Sequence, residues 1–156
     1  MDHEYYMNFA IEQAMEAALL DEVPVGAVIT DSSGKVIGRG YNQPISMCDP
    51  TGHAEIVSIR MAALAIGNYR LSGTTMYVTI EPCIMCMGAI IHSRIARLVY
   101  GASDPKWGGA GSLYDFAYDK RLNHTIDVVS GVCLNQTREI MRRFFRDKRS
   151  NKQCQI

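Results

Sequence analysis

The sequence predicts an α/β fold, a single mixed sheet covered by helices on its two faces. Three observations predict it. Five short β-rich runs alternate with apolar patterns of helical period after an opening hairpin. The chain has 156 residues, enough for one sizeable core, and its 47% apolar and 21% charged residues are those of an ordinary globular protein. No repeat or linker interrupts the pattern, so 1–156 should be one domain with a core from about residue 4 to 150.

Each element has a local reason. In 6–20, Met7, Ala10, Ile11, Ala14, Ala17 and Ala18 recur at helical spacing. "VGAVIT" (25–30) and "KVIGRG" (35–40) are β-rich runs parted by the turn signal "DSSG", hence a hairpin. "YNQPISMCDPTG" (41–52) is a loop, because two prolines and a glycine break regular structure. A second helix, 53–67, ends near Gly67. "TTMYVTI" (74–80) is a strand, after which Pro82 is expected at the first position of a third helix, "CIMCMGAIIHS". "RLVYG" (97–101) should pair with that strand as a right-handed parallel unit. A glycine-rich loop (107–112), a strand "TIDVV" (125–129) and a basic helix (135–148) follow, the helix burying Ile140, Met141, Phe144 and Phe145.

Composition excludes several classes. No window is long and apolar enough for a membrane helix. The opening "MDHEYYMNF" lacks the basic stretch and apolar core of a signal peptide. Five cysteines, an odd number with two in "CIMC", do not form a secreted disulfide framework. Reduced thiols and a cytoplasmic location are expected. Cys133 reads as a small buried apolar side chain, Cys154 as part of a mobile tail, and His3 and His124 as surface or loop residues. The net charge is zero but lopsided: 1–22 carries six acids and no Lys or Arg, while Arg138, Arg142, Arg143, Arg146 and Lys148 crowd the last helix. Such a helix attracts phosphates or is simply a solvated face.

The chemistry is concentrated in two short stretches. "GHAEIV" (52–57) sets Glu55 two residues after His53 at the mouth of a helix, a spacing that puts no two side chains on one helical face. Both can face a group lying beyond the helix end. "PCIMC" supplies that group's other ligands, since C-x-x-C lets Cys83 and Cys86 grip one ion from a first helical turn, where free N–H groups stabilise thiolate. One nitrogen and two sulfurs leave a fourth tetrahedral position for water, as in catalytic zinc sites, where that water has a pKa of about 7. Glu55 is then the general base and acid beside the water, and not a ligand. C-x-x-C alone is shared with redox pairs and zinc ribbons. A structural site would need a fourth ligand, for which Cys48 or His92 could be proposed, although His92 lies at the far end of its helix.

"HAE … PCIMC" is similar to the H-x-E … P-C-x-x-C signature of the zinc-dependent nucleobase deaminases, the cytidine/deoxycytidylate deaminase superfamily. "EVPVGAV" (22–28), "YNQP" (41–44), "DPTGHAEI" (49–56), "NYRL" (68–71), "YVTIEPCIMCMGAIIHSRI" (77–95) and "GAGSLYD" (109–115) resemble the bacterial tRNA-specific adenosine deaminases over nearly the whole chain. The resemblance implies a three-layer α/β/α cytidine-deaminase-like fold with a five-stranded mixed sheet, one Zn2+ per chain and a homodimer. It implies conversion of the wobble adenosine of a tRNA anticodon stem-loop to inosine. Asn42 would hydrogen-bond the flipped base, Val25, Pro44 and Ala54 would shape its pocket, and Asp104 and Lys106 would lie along the RNA. Trp107 departs from the family, which carries a smaller residue there, and its ring could stack on a base or cover the loop.

Two rivals share the metal signature. A deaminase of a free base or nucleoside (cytosine, guanine or a riboflavin precursor) has comparable length but no use for an arginine-rich helix. A non-catalytic zinc-bearing RNA-binding module gains nothing from Glu55. The apolar run 87–91, with His92, Ser93 and Arg94 beyond it, has no evident cover within the chain and is expected at a dimer interface, unless the Phe144–Phe145 stripe covers it in a monomer.

Overall fold

The computed structural model describes residues 2–153, which leaves Cys154 outside the described residues. Nine elements follow in order: α1 (His3–Leu19), β1 (Gly26–Thr30), β2 (Val36–Tyr41), α2 (Ala54–Ile66), β3 (Thr75–Ile80), α3 (Ile84–His92), β4 (Arg97–Ala102), β5 (Asp127–Val129) and α4 (Leu134–Gln153). The sheet order is β2-β1-β3-β4-β5. β1 is antiparallel to both β2 and β3, whereas β3, β4 and β5 are parallel, so the sheet is mixed as expected.

Alternation along the strands sorts the core into two layers. Ala27, Ile29, Met76, Val78, Leu98 and Tyr100 point to one face and pack with Ala54 and Ala62 of α2 and Met87 and Ile90 of α3. Val28, Tyr77 and Val99 point to the other and pack with Met7 and Ala10 of α1. α4 joins α1 on that second face, where Thr137 abuts Gly101. Together these make three layers, α/β/α.

Local chemistry explains the boundaries. Asp2 caps α1, its carboxylate accepting from the Tyr5 N–H at 3.1 Å. Asp31 closes the hairpin by accepting from the Ser33 and Lys35 N–H groups at 2.9 and 3.0 Å. Gly67, at φ +67°, ends α2 in the left-handed conformation that glycine adopts without strain. At Gly40 of β2, a Cβ would lie 2.5 Å from the Ala54 carbonyl, so this glycine lets α2 sit directly on the sheet.

Several expectations are corrected. Pro82 stands before the N-cap, Cys83, and not at the first helical position, because the extended N-cap conformation falls on the cysteine. Phe145 is 42% exposed, while Ile140, Met141 and Phe144 are half-buried; the short β5 leaves α4 only a narrow surface. Cys133 is half-buried at φ +53°. His3 is partly buried at the start of α1, its Nδ1 bonded to the Tyr77 hydroxyl at 3.2 Å, whereas His124 lies in a loop as expected, its Nε2 bonded to the Ile95 carbonyl at 2.7 Å. Ser93 is buried, with its hydroxyl donating to the Ile90 carbonyl.

Candidate metal centre and active site

Two helix N-termini converge on one point. His53 is the N-cap of α2 and Cys83 the N-cap of α3, both with extended backbone and neither with a side-chain cap hydrogen bond. Ser, Thr, Asn or Asp at such positions would fold back onto the helix; imidazole and thiol are turned outward instead. Cys86 lies three residues past its cap, the spacing at which capping-box side chains meet, so its thiol reaches that of Cys83. Glu55 is the second residue of α2, in its first turn. The extended cap swings His53 out of helical register, and this is how an i, i+2 pair serves a common site.

Nδ1 of His53 lies 3.6 Å from Sγ of Cys83 and 3.5 Å from Sγ of Cys86. All three candidate ligand atoms fall within 4.8 Å of one another, the one such group among the described residues. A tetrahedral zinc, with bonds of about 2.1 Å to nitrogen and 2.3 Å to sulfur, requires N···S edges of about 3.6 Å. The donor set therefore fits the ion. A hydrogen bond from Cys86 and another from His53 draw the Cys83 thiol down to about 4 despite partial burial. The reciprocal bond to Cys83, burial and the nearby Glu55 push Cys86 up. His53 is raised, chiefly by its bond to Cys83. Burial pushes the Glu55 carboxyl up to about 7, against the lowering pull of its own backbone N–H and of His53. That value lies close to neutrality, where a proton carrier works best.

His53, Glu55 and Cys83 form the floor of a cavity of about 750 Å³, with Cys86 buried behind them. Val25, Asn42 and Pro44 wall one side, Asp104 and Trp107 another, and Met141 reaches in from α4. Asn42 is held by its N–H, which donates to the Val25 carbonyl at 2.9 Å, while its side-chain amide makes no hydrogen bond among the described residues. Two expected contacts are not in the wall. Ala54, the first residue of α2, is fully buried in the core, and Lys106 is exposed outside the lining. Cys48 is exposed and apart from the ligand group, as is His92 at the far end of α3.

Two supporting residues escaped the sequence reading. Asp49 accepts from the N–H and hydroxyl of Thr51 at 2.8 and 2.7 Å, which holds its carboxyl below the usual range and fixes the turn leading into His53. Glu81, just before Pro82 and Cys83, is 1% exposed. Its carboxylate accepts from the N–H groups of Asp104, Ala110 and Ser112, each at 3.0 Å, and from the Ser112 hydroxyl. It thereby ties the glycine-rich loop to the metal strand. A Cβ on Gly108 would lie 2.4 Å from the Glu81 carboxyl carbon, so only glycine lets the loop pass there. A carboxylate preceding "PCIMC" and a Gly-Gly pair were the available signals.

The family model for the cytidine and deoxycytidylate deaminase zinc-binding region matches residues 1–102. The chain belongs to this deaminase family. Among curated deaminases, it is 48% identical over 152 residues to the tRNA-specific adenosine deaminase of Haemophilus influenzae, covering 97% of this chain and 88% of that one. It is 45% identical over 148 residues to the enzyme of the same name from Agrobacterium fabrum, covering 95% and 97%. A solved structure from work on A-to-I editing by tRNA:A34 deaminases superposes with a TM-score of 0.84 at 45% identity, over 87% of this chain and 98% of that one. Guanine deaminase from Bacillus subtilis superposes at 0.64 with 34% identity, over 81% and 83%.

Proposed function

We propose that this deaminase converts the wobble adenosine of a tRNA anticodon to inosine and releases ammonia. It uses one zinc ion per chain held by His53, Cys83 and Cys86. The observation that carries the reading is Glu55: a buried, unliganded carboxylate beside a three-ligand cluster at the floor of an open cavity. A structural zinc site has no use for it. The substrate follows from relatives at 42–48% identity that are named tRNA-specific adenosine deaminases.

A zinc ion bound here supplies a water whose pKa is lowered to about 7. Glu55 accepts a proton from the attacking water and delivers it to N1 of adenine as oxygen adds to C6. It then carries the second proton to the exocyclic nitrogen, the C6–N bond breaks, and one water and one adenosine have become inosine and ammonia. The Asn42 amide, a donor and an acceptor, holds the purine edge, with Val25 and Pro44 as apolar walls. Flipping the base costs a few kcal/mol, less in an anticodon loop than in a duplex. Lys106 and the exposed arginines of α4 meet the RNA backbone, while Asp104 supports the loop that carries Lys106. With tRNA as substrate and reduced thiols, the protein works in the cytoplasm, and no helix among the described residues is long and apolar enough to cross a membrane.

The likeness to a guanine deaminase at 34% identity favours one second reading, a free-base deaminase. Incubating the zinc-loaded protein with bulk unmodified tRNA and sequencing the anticodons decides between them. Inosine, read as guanosine, is expected at the wobble position. Turnover of free guanine or adenosine with no change in tRNA would establish the second reading.

A further inference from the structure

Trp107 is the chain's single tryptophan, and its side chain stands on the wall of the cavity that contains His53 and Glu55 while remaining 63% exposed. An aromatic surface of that size left in water beside a functional cavity marks a contact site. No ring contact or cation pairs with the indole among the described residues. The backbone beneath it is held from several sides. Asp104 Oδ1 accepts from the Lys106 N–H at 2.9 Å and the Trp107 N–H at 3.3 Å, and the Gly108 N–H donates to the Asp104 carbonyl at 2.8 Å. The Asp104 N–H in turn donates to buried Glu81 at 3.0 Å. The indole is thus an apolar plate carried on a braced backbone at the lip of the site, one residue after Lys106.

A base that enters the cavity passes Asn42 on the wall to reach Glu55 at the floor, and leaves a gap in its strand. The adjacent base has then lost a stacking neighbour. Aromatic side chains take up such a face whatever the base. We infer that Trp107 is a stacking platform for the base next to the flipped adenosine, a positioning residue that favours RNA over free nucleoside and takes no part in the proton transfers. This inference rests on the RNA-deaminase reading above.

Because the chain has one tryptophan, its emission reports this residue alone. The zinc-loaded Glu55→Gln protein holds substrate without turnover, so an anticodon stem-loop RNA should quench or shift that emission at saturation. The same RNA with an abasic site beside the target adenosine should bind and leave the emission unchanged. In the otherwise wild-type protein, Trp107→Ala should raise the KM for the stem-loop about 5- to 150-fold, the equivalent of one lost base stack. The kcat should be unchanged, Trp107→Phe should retain most of the affinity, and the abasic RNA should erase the difference between Trp and Ala. Circular dichroism and zinc content establish whether Trp107→Ala is folded. If it is not, the emission of the Trp107-bearing protein and the Phe variant still decide. Inosine formed with unaltered emission or an unaltered KM would overturn the platform while leaving the deaminase reading intact. A quench that survives the abasic site would also overturn it, since the ring would then be touching something else. Wild-type protein that makes no inosine in any RNA would overturn the deaminase reading, and the platform with it.

Discussion

Glu55 and Glu81 are buried to 3% and 1% exposure, yet their surroundings set them to different work. The Glu81 carboxylate is fully engaged by three N–H groups and a hydroxyl, so it is a clamp. The Glu55 carboxyl, pushed up to about 7 by burial, faces the ligand cluster and the cavity, so it is free to exchange a proton. Glu55→Ala should keep zinc and RNA binding and lose at least about 10²–10⁴-fold in turnover, the usual contribution of one positioned proton carrier. Single-turnover kinetics on a stem-loop check this, and activity within tenfold of wild type would remove Glu55 from the chemistry. Glu81→Ala should behave in the opposite sense. Stranding the buried Ala110 N–H costs about 1–3 kcal/mol, and each kcal/mol lowers Tm by about 2–4 °C in a chain of this size. Calorimetry should show the drop with zinc content intact. For the ligands, Cys86→Ser should cut zinc well below one per chain, and elemental analysis finding it undiminished would refute the assignment.

At the scale of elements, the close seating of α2 on β2 decides where His53 points. Gly40→Ala would press a methyl group to 2.5 Å from the Ala54 carbonyl and 2.7 Å from the Ser58 nitrogen, both in the α2 backbone. The helix must shift and carry its N-cap with it. The expected result is weaker zinc retention together with a stability loss of about 1–3 kcal/mol, measured by chelator competition and urea unfolding. On α4, Lys148 is committed to Asp21 at the end of α1, and Asp147 lies within 3.9 Å of Arg143 and 3.8 Å of Arg146. Arg138, Arg142 and Arg149 are exposed with no ion pair among the described residues. Replacing Arg142, Arg143 and Arg146 by Gln should flatten the salt dependence of RNA binding by about 0.7 per lost phosphate contact. An unchanged slope would make α4 a solvated face. The strands and helices were legible because their periods of two and 3.6 are written in consecutive residues, and the ligands because C-x-x-C and H-x-E are local spacings. Glu81 and Asp49 were not legible as supports. Glu81 acts on a loop more than twenty residues downstream, and Asp49 acts through a turn that only folding creates. Phe145 misled for a related reason, since its burial depended on how wide the sheet is beneath α4.

For the molecule as a whole, the open question is what covers α3. Ile84 and Met85 are 39% and 36% exposed, and a second cavity of about 250 Å³ lies among Ile84, Gly88, Ile91, His92 and Phe116. α4 packs on the opposite face of the sheet, so the Phe144–Phe145 stripe does not serve as cover. A second copy of the chain would, and light scattering at micromolar concentration should give twice 17.4 kDa. Ile91→Glu should return the mass to one chain, and a wild-type mass near 17.4 kDa would refute the dimer. The two outward-turned N-caps have a consequence for the life of the protein in the cell. With His53 and Cys83 serving as ligands, a bound ion would tie the first turn of α2 to that of α3, and its removal should loosen both turns together. Unloaded protein is then expected to open to proteases at the very segments that would make it active. Limited proteolysis after chelation should cut first within 50–57 and 81–87, and added zinc should restore resistance at both places at once.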